Sequence, residues 1–350
     1  MQNNPLLKLL LKSSLQLSKK ISSNRLLMTL ICLTLISIVT LPRFNEQNLI
    51  PFLKNVGNKG HLGELTIDGG NYINMVEYFR SDLPSSEFEI FPPFTYRPLQ
   101  PFIASFLPFS AMTSFNLVSV FCIAIGVLYL WLILGKLKIS PQISFISLFL
   151  AIFSFPVFFF GAANRIDAMF IMFLMMSVYY ALNSNFLFYL ITIALGSLSK
   201  ETIILSLPFY FFLQKDNRNK YYKTFFALII FIFFSYLSRT IIPASQNIFW
   251  YFDLESIISN LSRHGTYLDF ILGHGFLLFL IPLSFRHFKK RGFTSIEKSL
   301  FVGVVLTEIL YLYAIVSAYP DTRFLWPLYC FALPLSAIYL NETLVLNSEK

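Results

Sequence analysis

The sequence predicts an all-α polytopic membrane protein of about ten transmembrane helices with a large first external loop. Three observations predict it. Of the 350 residues, 56% are hydrophobic and only 13% are charged, far from the composition of soluble domains. Apolar segments of about 20 residues, the length that crosses a bilayer, recur along the chain. Basic residues concentrate between alternate segments, as they do in cytoplasmic loops.

The apolar segments mark ten candidate spans, of which the fifth and sixth are short. They run approximately over residues 26–42, 115–134, 142–160, 167–182, 186–198, 201–213, 224–242, 268–284, 298–317 and 324–341. We therefore expect one membrane domain over residues 26–341, with its first external loop at 43–113. A basic amphipathic segment, residues 1–25, precedes an uncleaved first span, and a short tail, residues 342–350, follows the last.

The net charge of +9 reflects topology and does not indicate nucleic-acid binding. With the N-terminus in the cytoplasm, the cytoplasmic side holds most of the 27 basic residues and few of the 18 acids. The acids on that side are Asp216, Glu297, Glu342 and Glu349. This asymmetry predicts that both termini are cytoplasmic.

The first external loop contains the longest polar interval between spans. Thr66 and Asp68 stand just before the stretch NYINMVEYFR, where N-cap residues stand before a helix. Apolar residues at helical spacing, beginning at Tyr72, predict a short amphipathic helix on the membrane surface with the acid at its leading end. Prolines around Tyr96 and Arg97 then predict a stiff extended arm.

Charged residues also occur in short external connections. The turns GAANRID, SLSKET and AYPDTRF each place a cation near an acid on the side of Asp68 and Arg97. These residues are Arg165, Asp167, Lys200, Glu201, Asp321 and Arg323. A second external segment, residues 243–267, carries Arg263, His264 and aromatic residues suited to headgroup depth. We expect these parts of the chain to converge on one external face.

Several kinds of chemistry lack their sequence signatures. The chain has no HExxH, CxxC, Walker or GxSxG motif, and its four histidines show no metal-ligand spacing. All three cysteines, Cys32, Cys122 and Cys330, lie in apolar segments. Zinc hydrolysis, ATP-driven transport by this chain and serine-nucleophile catalysis are therefore not indicated.

The external charges suit transfer chemistry on a phosphate-linked substrate. A carboxylate can act as general base toward an acceptor, while guanidinium and ammonium groups stabilise a phosphate leaving group. Structural alternatives remain for each residue. Asp68 also fits a plain N-cap, Arg97 a headgroup contact, and the Arg165 and Asp167 pair a structural interface. Asp321 with Arg323 is a similar pair.

Together these motifs resemble a family. An acid in the first external loop, an aromatic-Arg-Pro-Leu arm at residues 96–99, a SKET turn before an apolar PFYFF helix, and a late DTRFxWP segment resemble the GT-C superfamily of integral-membrane glycosyltransferases. That superfamily includes polyprenyl-phosphate-sugar-dependent mannosyl- and arabinosyltransferases. Asp68 matches the catalytic acid on this resemblance, and Arg97, Lys200 and Arg323 are candidates for lipid-phosphate contact. The chain departs from the pattern in lacking a DxD or ExD pair and a soluble C-terminal domain.

The resemblance implies transfer of a sugar from a polyprenyl-phosphate donor to an envelope glycan, lipid or protein acceptor on the external face. It implies an integral protein of the bacterial plasma (inner) membrane and leaves dependence on a divalent cation open. With Asp68 as the catalytic residue, the candidate substrate-binding residues are Tyr72, Tyr96, Arg97, Arg165, Asp167, Lys200, Glu201, Arg263, His264, Asp321 and Arg323.

Two other classes of protein remain as hypotheses. A transporter or lipid flippase would place polar groups at the midplane, where Glu308 is the candidate. Glu308 is either a partner for a base such as Arg239 or a neutral acid. A non-catalytic assembly subunit would use the large loop to dock a partner, and Asp68 would then be dispensable.

Overall fold

The computed structural model describes residues 25–41, 59–88, 90–214, 217–242, 254–317 and 320–345. Within these ranges the chain is helical and contains no strand, which confirms the predicted all-α class. The α-helices are α1 Arg25–Thr40, α2 Lys59–Arg80, α3 Leu99–Ser105, α4 Ala111–Lys136, α5 Pro141–Ile152, α6 Phe155–Phe160, α7 Asp167–Leu182, α8 Phe186–Ser199, α9 Ser206–Leu213, α10 Asn217–Ile241, α11 Leu254–Ser262, α12 His264–His274, α13 Leu277–Arg291, α14 Ser295–Ser317 and α15 Leu328–Leu340.

Short 3₁₀ helices join several of these elements. They span Ser85–Glu87, Phe94–Tyr96, Glu201–Leu205 and Thr322–Leu325, and a π-helical turn, Asn341–Val345, follows α15. The predicted segment at residues 1–25 lies outside the described residues apart from Arg25, as do residues 43–58 of the external loop and the end of the tail. The division into one membrane domain with its flanking segments stays a prediction.

Among the described residues, three helices are long and apolar enough to cross a membrane. They are α4, most of α10 and α14. The pair α12 and α13 passes the same test together but bends by 61°. The bend falls at Gly275, whose φ of +52° lies in the left-handed region that glycine adopts readily. The other apolar helices described, such as α5, α7 and α8, are shorter than 18 residues.

The predicted span at 142–160 is divided in two. Helix α5 ends at Ile152, and Ser154 then caps α6 by accepting a hydrogen bond from the Val157 N–H. Pro156, in the first turn of α6, has no N–H to donate to a continuous helix. The sequence Ser-Phe-Pro therefore ends one helix and begins another.

Two helices form the centre of the molecule. From Asp167 to Met175 every residue of α7 is buried, and so is every residue of α15 from Leu328 to Ala337. A helix that is apolar on all sides packs inside a bundle. Helix α7 packs against α4 and α8, and α15 packs against α13 and α14.

The first external loop differs from the sequence expectation in two places. Helix α2 begins at Lys59, so Asp68 lies inside the helix and is not its N-cap. The Pro-rich segment expected to be extended contains a 3₁₀ turn and α3. Pro98 is the N-cap residue of α3 and Pro101 lies in its first turn, where a missing N–H removes no helical hydrogen bond. Helix α3 packs against α2 and α4.

Close packing of α14 on α15 gives a test of the fold. Gly303 faces the buried ring of Phe331, and an added Cβ would overlap that ring. We expect Gly303→Ala to lower stability by about 1–3 kcal/mol, because the fully buried ring has no room to move. The measurement is the midpoint of thermal unfolding in detergent. Gly135→Ala is the matched control, since nothing lies within 4 Å of its added Cβ. Equal midpoints for the two variants would contradict the packing described.

Candidate active site

The carboxylate of Asp68 joins three separate parts of the chain. Arg323 Nη1 donates a hydrogen bond to Asp68 Oδ2 at 2.5 Å, and Arg165 forms an ion pair with the same oxygen. Asp68 lies on α2, Arg165 in the turn before α7, and Arg323 in the 3₁₀ helix Thr322–Leu325. One acid therefore holds two arginines that are far apart in sequence.

A second ion pair joins the first residue of α7 to the residue that follows α8. Lys200 Nζ donates a hydrogen bond to Oδ1 of Asp167, and both side chains are at least nine-tenths buried. The ammonium group also lies 5.6 Å from the ring centre of Phe170 and 5.9 Å from that of Phe324. Such cation–π contacts favour a cation when it is removed from water.

Arg97 forms the third connection. Its guanidinium donates hydrogen bonds to both carboxylate oxygens of Glu201, at 2.9 and 3.1 Å, and to the hydroxyl of Tyr72 at 3.3 Å. This two-point arrangement fixes the orientation of the guanidinium plane. Tyr72 is buried on α2, so the contact links that helix to the turn carrying Glu201.

Asp321 completes the set of acids. Its Oδ1 accepts a hydrogen bond from the backbone N–H of Arg323 at 2.9 Å, and its Oδ2 lies 3.0 Å from Arg323 Nε. Asp321 is thereby the N-cap of the 3₁₀ helix Thr322–Leu325. The cap and the ion pair together orient the side chain that reaches Asp68.

Three of these four acids stand at the starts of helices. Asp167 is the first residue of α7, Glu201 is the first residue of its 3₁₀ helix, and Asp321 is an N-cap. Acids are favoured there because the helix N-terminus carries a partial positive charge. Asp68 differs, since it lies in the interior of α2. Its charge is balanced by side chains from elsewhere in the chain.

Electrostatic coupling joins the pairs into one unit. Burial lowers the pKa of Lys200 below its ordinary value, and Asp167 opposes this effect. Two further cations, Arg97 and Arg323, also lower the pKa of Lys200. Burial raises the pKa of Asp321, against the influence of Arg323. Charged groups influence one another in this way when they lie close together and away from bulk water.

The site thus brings together most of the residues that the sequence singled out, but in different pairs. Arg97 pairs with Glu201 and not with Asp68, and Asp167 is bound by Lys200 from another turn. Three turns carry an acid and a cation close together in sequence. Among the described contacts, a direct ion pair between these two residues occurs in the turn AYPDTRF.

The remaining candidate residues lie around this network. The ring of Tyr96 is 4.8 Å from the guanidinium carbon of Arg239. Arg263 and Asp321 both lie within electrostatic range of Asp269. His264 is exposed at the start of α12, and the network of ion pairs described above does not include it.

Glu308 makes a contact that the sequence did not indicate. Its Oε1 lies 2.7 Å from Nε2 of His274, and Nδ1 of that ring lies 2.8 Å from the carbonyl oxygen of Phe270. Arg239, offered as a partner for Glu308, instead stacks on Tyr96. The described contacts therefore do not join Glu308 and Arg239 into one polar path.

Sequence reasoning missed two residues that support the site. Arg80, the last residue of α2, donates hydrogen bonds to the carbonyl oxygen of Leu107 at 2.8 Å and to Ser114 Oγ at 3.0 Å. It thereby fixes the end of α3 and the turn into α4. Asp269 lies within electrostatic range of Asp321 and Arg263. An acid just inside a predicted apolar span was a signal that could have identified it.

No group of three or more potential metal-ligating side chains, His, Cys, Asp or Glu, is assembled within the part of the chain that the structure describes. The acids of the site instead contact arginine and lysine side chains.

Comparison with known proteins agrees with the motifs. A family model described as dolichyl-phosphate-mannose-protein mannosyltransferase matches residues 98–242. The match, which covers less than half of the chain, confirms the resemblance to the GT-C superfamily over these residues, and the long apolar helices are those of an integral membrane protein. The matched region contains Arg165, Asp167, Lys200 and Glu201, whereas Asp68 lies outside it. No curated protein and no solved structure matches the chain significantly.

The Lys200 pair gives a test of the site's construction. Asp167→Asn would leave a buried ammonium group without its acid, which typically costs about 3–5 kcal/mol. We expect a clearly lower thermal unfolding midpoint in detergent. Combining Asp167→Asn with Lys200→Met should restore much of the loss, because the uncompensated charge is then removed as well. A double variant that is less stable than the single one would show that the pair is not the source of the effect.

Proposed function

We propose that this protein transfers a sugar from a polyprenyl-phosphate donor to a glycan, lipid or protein acceptor on the external side of the membrane. The observation that carries the proposal is the position of Asp68 between Arg165 and Arg323, in the electrostatic unit that also contains Lys200 and Arg97. A base and several phosphate-binding cations are the groups that such a transfer requires.

In this reaction Asp68 would accept the proton of the acceptor hydroxyl or amide. A bond forms between the acceptor atom and the anomeric carbon of the sugar as the bond from that carbon to the phosphate oxygen breaks. The electron pair of the broken bond stays with the oxygen, and polyprenyl phosphate leaves. Guanidinium and ammonium groups stabilise the charge that develops on this leaving group.

The helices around the site suit a lipid-linked donor. The polyprenyl chain would stay in the bilayer while its head group reaches the external turns before α7, after α8 and before α15. The predicted orientation, with both termini in the cytoplasm of a bacterial plasma membrane, puts these turns on the outside. Tyr72, Tyr96, Arg263 and His264 would contact the sugar or the acceptor.

Replacing the base tests the proposal. We expect Asp68→Asn to reduce sugar transfer by about 10² to 10⁴, the usual contribution of a general base. The measurement is the transfer or hydrolysis of a panel of radiolabelled polyprenyl-phosphate sugars by purified protein in membranes. Asp82→Asn is the matched control, because it removes the same charge from an exposed residue of the same loop.

The outcomes separate the classes of function. Loss of transfer in Asp68→Asn, with Asp82→Asn active and all proteins equally folded, would support the glycosyltransferase. If the parent and Asp68→Asn consume the donor equally, Asp68 is not the catalytic base. Consumption of no donor by the parent would favour a transporter or an assembly subunit, and flux measurements on variants of Glu308 would follow.

A further inference from the structure

The charges of the site balance without any substrate. The described network contains four acids and four cations, namely Asp68, Asp167, Glu201 and Asp321 with Arg97, Arg165, Lys200 and Arg323. A phosphate that enters this network adds negative charge to a set of described side chains whose charges already balance. The phosphate therefore binds well only if one of the acids separates from its cations.

Asp68 is the acid whose position suits such an exchange. Carboxylates and phosphates bind guanidinium groups in the same way, through oxygens that accept paired N–H donors. Asp68 presents one oxygen to two guanidinium groups, a position that a phosphate oxygen would also fit. The donor phosphodiester carries one negative charge, as the carboxylate does.

The other three acids differ from Asp68 in standing at the starts of helices. Asp167 is buried with Lys200, Asp321 caps the helix that carries Arg323, and Glu201 begins a 3₁₀ helix. Each has a helix N-terminus near it that favours its charge. Asp68 lies in the interior of α2, and its described contacts are with the side chains of Arg165 and Arg323. It is the acid that can leave its partners at the lowest cost in backbone interactions.

We propose that in the donor-free protein the Asp68 carboxylate occupies the position of the donor phosphate, and that the phosphate displaces it from Arg165 and Arg323 on binding. This inference rests on the proposed function. Two guanidinium groups favour the ionised form of a carboxylate and so weaken it as a base. Displacement by the donor therefore activates the base, and acceptor deprotonation is confined to protein that already holds a donor.

Asp68→Asn removes the competing anion, so the variant that loses transfer should bind polyprenyl phosphate more tightly than the parent does. We expect a decrease in Kd of at least about fivefold, the lower end of typical coupling between binding events. The measurement is calorimetric titration of the detergent-solubilised full chain with farnesyl phosphate, and farnesol serves as the uncharged control ligand.

Two further variants separate this effect from others. Asp82→Asn lowers the negative charge of the same loop equally, and its Kd should stay close to that of the parent. Asp68→Glu keeps the competing carboxylate, so it should not gain affinity as the amide variant does. If Asp82→Asn lowers the Kd as much as Asp68→Asn does, the effect comes from net charge alone and the proposal is overturned.

Failure of this inference differs from failure of the proposed function. If the parent binds farnesyl phosphate and Asp68→Asn binds it equally or more weakly, the exchange is wrong and the glycosyltransferase proposal stands. If neither protein distinguishes farnesyl phosphate from farnesol, the site does not bind a lipid phosphate, and both proposals fail.

The unmutated protein offers a second measurement, which does not depend on the folding of a variant. Displacement of Asp68 releases α2 from two of its contacts, while Arg165 and Arg323 gain a ligand. Farnesyl phosphate should therefore increase amide hydrogen exchange in residues 69–80 of α2 and decrease it around Arg323. Slower or unchanged exchange in α2 on binding would overturn the proposal.

Discussion

The rest of the site depends on the carboxylate of Asp68, which holds two arginines from distant parts of the chain. The side chain of Arg165 is only 3% exposed, and an isolated charge at such a position is costly because it has lost its hydration. Arg165 therefore needs an acid nearby, and α2 brings one from the external loop. The loop, the turn before α7 and the 3₁₀ helix before α15 are thus joined by ion pairs as well as by apolar packing.

The fold class followed from properties that act locally. Apolar length predicts helices in a membrane because the bilayer leaves no other partner for backbone groups. Where helices end depends on finer features, such as the cap at Ser154 with Pro156 and the left-handed backbone of Gly275. The start of α2 was missed because two glycines follow Asp68 and weaken the helical pattern. Tertiary contacts of Asp68 and Tyr72 offset that low propensity.

The sequence singled out the charged residues of this cluster but not their partners, and their role as site residues stays a prediction. Charged residues at the margins of apolar segments are unusual enough to be noticed individually. Which acid meets which cation depends on how helices pack, and the pattern of charges contains no such information. Arg97 meets Glu201, 104 positions later, because the 3₁₀ turn before α3 faces the turn after α8. Local pairing was the simplest expectation, and it described Asp321 with Arg323 but not Lys200 with Glu201.

A site whose positive and negative charges balance also favours release of the product in the proposed reaction. The product, polyprenyl phosphate, is a monoester with more negative charge than the diester donor, so a site with excess cations would hold the product more tightly than the substrate. Slow product release limits many enzymes. An internal carboxylate that returns to Arg165 and Arg323 competes with the product for both guanidinium groups. The same residue that accepts the proton would then help to expel the leaving group, provided that its proton has first passed to water.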